Sequence, residues 1–228
     1  MESEVNNILF AAHELKAPLS ILRQLALSLD FADKSETKNI RSEMINVSER
    51  ALRQVNDLTK IARLEEGLFE MEPVAVRHIC DEVTNELIHL FRFNNRDLKI
   101  KYSNNSRLVI ANPDLLFSVI YNFCLNAMHY STEETLSELL VKDKGNRVQI
   151  KIRDFGPALP LDVWREMKRG WINRPTSIAM RPGSSGLGLF IASKFSHYMN
   201  AEVGAIRHRD GTSFFINLPV SNQARLFL

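Results

Sequence analysis

The chain has 228 residues, 45% hydrophobic and 25% charged, a balance that excludes disordered and fibrous classes and leaves room for one or two globular cores. A formal net charge of +2, with no aromatics clustered among basic residues, gives no electrostatic footprint for nucleic acid, and none is expected as a partner. Two cysteines, Cys80 and Cys124, are too few for a disulfide framework or a zinc site; the longest nearly apolar run, residues 115–125, is too short to span a bilayer, and no apolar signal segment follows Met1, so a cytoplasmic chain without membrane contact is expected.

In chain order, Val5, Ile8, Ala12, Leu15, Leu19, Leu22, Ala26 and Leu29 alternate by threes and fours, the seam of a helix that packs on other helices. The polar stretch "DKSETK" at 33–38 predicts a turn. A second stripe follows, made of Ile40, Met44, Val47, Ala51, Leu58 and Ile61, interrupted at Gln54 and ending near Gly67. Two such helices form a hairpin with an apolar face left over, and pairing with a second copy into a four-helix bundle buries it, so a homodimer is expected.

The seam puts His13 one position off the packed face, in solvent but on a rigid helix. Pro18 has no N–H, so the carbonyl of Glu14 loses its helical partner and a bend is expected just after the histidine. Glu14 is placed to accept the Nδ1 proton of His13, which leaves Nε2 as a nucleophile fit to accept a phosphoryl group. The pair alone also fits a plain surface histidine beside an acid.

Beyond Gly67, "FEMEPVAV" at 69–76 predicts a linker and short strand, followed by a helix from about 77 to 93. "LKIKYS" and "RLVIAN" predict strands joined by the turn "NNS", Asp114 opens a helical run, and "RVQIKIRDF" alternates as a half-buried strand. A helix over 187–198 precedes two strands, "EVGAIRHR" and "SFFINLP", joined at Asp210-Gly211. Helices and antiparallel strands in this order predict an α+β fold, a two-layer sandwich behind the hairpin.

Three clusters in this region carry chemical potential. Asn122, Asn126 and Tyr130 are four apart on one helix face with His129 beside them; neutral amide oxygens suit a magnesium ion that keeps its waters, and tyrosine can pack on a base. Asp154 ends a strand before Gly156 and can accept a hydrogen bond from an exocyclic amine, although Asp and Gly also make ordinary turns. Gly183, Gly186 and Gly188 run into a helix whose N-terminal N–H groups suit phosphates. The segment 161–182, with Arg165, Lys168, Arg169, Arg174 and Arg181 against Asp162 and Glu166, reads as a positively lined lid or a solvated loop.

Taken together the motifs resemble the sensor histidine kinases of two-component signalling. "HELKAPLS" is similar to their H box, "NFCLNAMHYS" to the N box, "DFGPALP" and "GSSGLGL" to the two glycine boxes, and "DGTSFFINLP" to the closing strand. The resemblance implies a dimerisation and histidine phosphotransfer hairpin over 1–67 and an ATP-binding domain of the Bergerat type over 68–228. It implies that His13 takes the γ-phosphate of ATP with Glu14 as the orienting base. Asn122 and Asn126 would hold Mg2+, with His129 beside the phosphates and Tyr130 near adenine. Asp154 would bind its amino group, Gly186 and Gly188 would flank the phosphates, Thr212 would lie near the base, and Gly156 and Leu187 would belong to the same nucleotide site. The phosphoryl group would pass to an aspartate on a response regulator receiver domain docked on the hairpin.

The chain also departs from the family pattern. Ala17 stands where the family has a threonine or asparagine that serves dephosphorylation of the regulator, and His129 stands where a lysine or arginine is usual. Ala158 replaces a glycine, and Lys168 and Trp171 replace phenylalanines. An alternative is therefore a degenerate kinase that scaffolds a regulator with weak or no ATP turnover. A gyrase-like or Hsp90-like ATPase is disfavoured, because Asn122 stands where those carry a catalytic glutamate and they lack the histidine hairpin. A sensor or membrane-anchoring domain is not expected within these 228 residues.

Overall fold

The computed structural model of the chain describes residues 2–103, 107–169 and 186–222, without the side chains of residues 2–14, Glu166 and Arg169. It divides into two compact units, Met1–Ala62 and Arg63–Leu228.

The first unit is the helical hairpin, α1 (Glu2–Ser28) and α2 (Lys34–Arg63). Helix α1 runs through Pro18, which is buried. The reversal is a single 3-10 turn, Leu29–Phe31, and not the polar stretch expected to make it. Asp33 instead starts α2: its Oδ1 accepts the N–H groups of Ser35 at 2.7 Å and Glu36 at 2.8 Å, and its own N–H donates to Glu36 Oε2 at 3.1 Å. This reciprocal pair satisfies donors that a helix start would otherwise leave open. Val47 and Ala51 are buried on α2, whereas Leu19 (61% exposed), Leu27 (55%), Ile45 (55%) and Leu52 (65%) face outward. The second helix gives way to a 3-10 turn, Leu64–Glu66, closed by Gly67 at φ 67°.

In the second unit the elements are β1 (Glu72–Val74), α3 (Val76–Phe93), β2 (Asp97–Tyr102), β3 (Val109–Ala111), α4 (Pro113–Tyr130) and β4 (Leu136–Asp143). They continue as β5 (Arg147–Arg153), α5 (Leu161–Arg169), α6 (Leu187–Tyr198), β6 (Glu202–His208) and β7 (Gly211–Pro219). Among the described residues, five strands make one sheet in the order β2-β4-β5-β7-β6, and β1 and β3 make a separate antiparallel pair. The expected α+β class holds, but the sheet is mixed, because β2 runs parallel to β4. β2 and β3 do not pair with each other; the "NNS" expected between them lies outside the described residues. Strand β4 had no counterpart in the expected elements: Leu139 and Leu140 are adjacent, which blurs the period-2 pattern, and its inward positions include Ser137.

Helix α4 is the axis of this unit. Asn112 caps it, accepting the N–H of Leu115 at 3.1 Å, and Pro113 stands at its first position, where a missing N–H costs nothing. Phe123 is fully buried and stacks on Phe214 of β7 with ring centres 5.7 Å apart. Phe91, Phe190 and Phe195 are also fully buried, each worth about 1.5–3 kcal/mol of transfer free energy. Along β5 the buried residues Val148, Ile150 and Ile152 alternate with half-exposed ones, so the sheet keeps one face against helices. Cys80 and Cys124 are free and buried, as expected of packed thiols.

Candidate functional site

Helix α4 carries Asn122, Asn126 and Tyr130 at four-residue spacing, and their surroundings differ. Asn122 is 8% exposed, and its Nδ2 donates to Ser118 O one turn back at 2.8 Å. Its Oδ1 faces the start of α6, where a Cβ on Gly188 would fall 2.8 Å away. Glycine at 188 therefore lets α6 lie against this amide. Gly186 caps α6 in the left-handed region at φ 72°, and its carbonyl accepts the N–H of Phe190 at 3.1 Å. Leu187 is fully buried and fills the core. Gly183 lies outside the described residues.

Asn126 is half-buried, and its Nδ2 is buried with no hydrogen-bond partner among the described residues. A buried amide left this way is penalised unless a ligand completes it. The Nδ2 group can donate to an anionic oxygen such as a phosphate; turned over, the same amide presents its oxygen to a metal or its water shell. The amides, not a carboxylate or histidine cluster, are the candidate ligands. His129 is exposed and Tyr130 half-buried at the helix end.

Asp154 is 1% exposed at the end of β5. Its Oδ1 accepts the Thr212 N–H at 2.8 Å, and its own N–H donates to Thr212 O at 2.9 Å. The turn that follows is pressed onto α4: a Cβ on Gly156 would sit 1.8 Å from Tyr130 O, and Thr132 donates its N–H (2.9 Å) and Oγ1 (3.0 Å) to Phe155 O. One helix thus links the candidate residues, with Gly188 against its Asn122 and Gly156 against its Tyr130, while Thr212 is joined to Asp154. His13 and Glu14 fall within α1, in the other unit, and their side chains lie outside the described residues.

Several contributors carried no signal in the sequence. Arg153, 9% exposed, donates through Nη2 to Asp210 Oδ1 at 2.6 Å and through Nη1 to Asp154 O, and lies 4.4 Å over the Phe155 ring. A Cβ on Gly211 would fall 2.2 Å from Asp154 O. The hairpin loop is Arg209–Asp210, since His208 pairs with Gly211, so the expected Asp210-Gly211 turn moves back by one residue. Part of the segment expected to be a lid or loop is helix α5, with Val163 and Met167 buried and Trp164 Nε1 donating to Ala205 O at 3.3 Å. Residues 170–182, with Trp171, Arg174 and Arg181, lie outside the described residues.

Electrostatics narrows the candidates further. Burial pushes the Cys124 thiol well up; burial first, then Cys124 and Asp81, does the same for Cys80, so neither supplies a thiolate. Burial, then the charges of Arg153 and Lys151, hold His208 below the ordinary histidine value against the opposing pull of Asp210. Its Nε2 lies 3.0 Å from Ser213 Oγ.

Comparison with known proteins assigns the α/β unit to an ATPase class. Residues 111–222 match the family model for histidine kinase-, DNA gyrase B-, and HSP90-like ATPases. The chain is 26% identical to the sensor protein kinase WalK of Staphylococcus epidermidis over 91% of this chain and 35% of that protein. It is 27% identical to the signal transduction histidine-protein kinase BarA of Escherichia coli over 92% of this chain and 24% of that one. Two solved structures share the fold: histidine kinase AdeS of Acinetobacter baumannii, and histidine kinase ThkA in complex with the response regulator protein TrrA. The first has a TM-score of 0.63 at 17% identity, covering 92% of this chain and 98% of that chain. The second has a TM-score of 0.61 at 16% identity, covering 92% and 60%. Residues 111–222 thus form a domain of this ATPase family behind a helical N-terminus, the layout of a histidine kinase catalytic core, and the relatives matched along the chain are sensor and signal transduction histidine kinases. The chain spans 35% and 24% of the length of these two curated relatives.

Proposed function

We propose that this chain, with Mg-ATP, phosphorylates His13 and passes the phosphoryl group to an aspartate on a response regulator. The hairpin over 1–67 is read as the phosphotransfer and dimerisation domain and 68–228 as the ATP-binding domain. The observation that carries the reading is the buried Asn126 amide without a partner among the described residues, on the helix that links Gly188 to the Asp154–Thr212 pair.

In this reading Asp154 accepts the exocyclic amine of adenine, Thr212 lies beside the base, and Tyr130 packs near it. The N-terminus of α6, opened by Gly186 and Gly188, receives phosphate oxygens at its N–H end. Asn126 and Asn122 would hold a magnesium ion, which would supply charge neutralisation for the phosphates. Glu14 takes the hydrogen bond of His13 Nδ1–H, which leaves Nε2 unprotonated as the nucleophile. A bond forms from Nε2 to the γ-phosphorus as the bond from that phosphorus to the β–γ bridging oxygen breaks, and ADP departs with that electron pair. Glu14 steadies the imidazolium that results. A receiver aspartate then displaces the imidazole. A homodimer through the hairpin, in the cytoplasm, completes the reading.

Incubation with γ-labelled ATP and magnesium tests it. The expected result is an acid-labile, base-stable label that is lost in His13→Ala and in Asn126→Ala. Nucleotide binding without any label would replace this reading with the degenerate scaffold.

A further inference from the structure

We propose that Arg153, clasped to Asp210, is a positioning residue that sets the Asp154 carboxylate for a nucleobase bearing an exocyclic amine. This rests on the reading of Asp154 given above, and adds two residues to which neither the motifs nor the family model assigns a role.

The argument is geometric. Alternation along β5 turns Ile152 to the core and Arg153 to the opposite face of the sheet, where an arginine ordinarily extends into water. Arg153 is instead 9% exposed. It folds back over the strand end, with its guanidinium carbon 4.4 Å from the centre of the Phe155 ring. Its Nη1 donates to Asp154 O and, at 3.5 Å, to Thr212 O, and its Nη2 donates to Asp210 Oδ1 at 2.6 Å and Asp210 O at 3.5 Å. One planar fork thus joins the end of β5, the start of β7 and the loop before it, a job for which a lysine has the wrong shape.

Those are the peptide units that hold the candidate carboxylate. Thr212 N–H fixes Asp154 Oδ1 at 2.8 Å, and the direction of that N–H depends on Gly211, whose φ of 135° leaves no room for a Cβ against Asp154. Hydrogen-bond recognition of an amine is steep in angle. If the clasp opens, the loop relaxes, the Thr212 N–H swings and the carboxylate loses its bearing, while the buried core is untouched.

The experiment compares ADP with inosine diphosphate, which has an oxygen in place of the amine, by calorimetry on the full chain with magnesium. Arg153→Met and Asp210→Ala are each expected to lower the preference for ADP about tenfold, with little change for inosine diphosphate. Asp210 has a side chain 69% exposed, so its variant removes the clasp from the solvent side and keeps the fold. The double variant Arg153→Met/Asp154→Asn is expected to discriminate no worse than Asp154→Asn alone, because the arginine acts through that carboxylate. Equal weakening for both nucleotides, or an unchanged preference in Asp210→Ala while Asp154→Asn abolishes it, would overturn the clasp and leave the Asp154 reading standing. An unchanged preference in Asp154→Asn itself would overturn both.

Discussion

Gly145 and Gly211 both hold the backbone at positive φ, at 82° and 135°, yet they answer to different constraints. Nothing lies within 4 Å of a Cβ built on Gly145, whereas one built on Gly211 meets Asp154 O at 2.2 Å and Asp154 Oδ1 at 2.7 Å. Gly145→Ala is therefore expected to cost about 1 kcal/mol, the backbone strain alone. Gly211→Ala adds a clash with main chain that cannot step aside, and a loss of about 2–4 kcal/mol together with weakened ADP binding is expected. Urea unfolding of the two variants checks the contrast. The glycines of the motifs were legible as residue types, but what each one opposes was not: Gly188 faces an amide of α4, and Gly156 a carbonyl at that helix's end.

At the scale of elements, the stretch 33–38 shows why a polar run is ambiguous. Asp, Ser, Glu and Thr favour turns and helix starts for the same reason, since their short side chains bond nearby N–H groups. Here Asp33 and Glu36 exchange hydrogen bonds, and the run opens α2. Asp33→Ala is expected to lower stability by about 1 kcal/mol, seen as an earlier loss of helical signal on heating, with Asp33→Asn close to the parent. Helices α1 to α4 and α6 were readable because their seams, caps and spacing are local. Strand β4 was not, because only pairing between β2 and β5 identifies it as a strand.

For the whole molecule, the hairpin leaves Leu19, Leu27, Ile45 and Leu52 between 55% and 65% exposed. That is more bare leucine and isoleucine than a lone two-helix unit tolerates, and it supports a second copy as the cover. Leu52→Asp is accordingly expected to shift the chain from dimer to monomer in sedimentation. ADP binding should persist, because the unit from Arg63 onward has its own core. Seam periodicity and the order of five short motifs determined, without coordinates, the hairpin, the α+β class and the residues worth testing, because each of those signals is carried by neighbours along the chain. Only the tertiary structure decided which glycine faces which amide, that β2 runs parallel to β4, and that Arg153 bends back to a carboxylate 57 positions away. Such contacts follow from strand register and from side chains leaving their ordinary direction, and no local pattern encodes either.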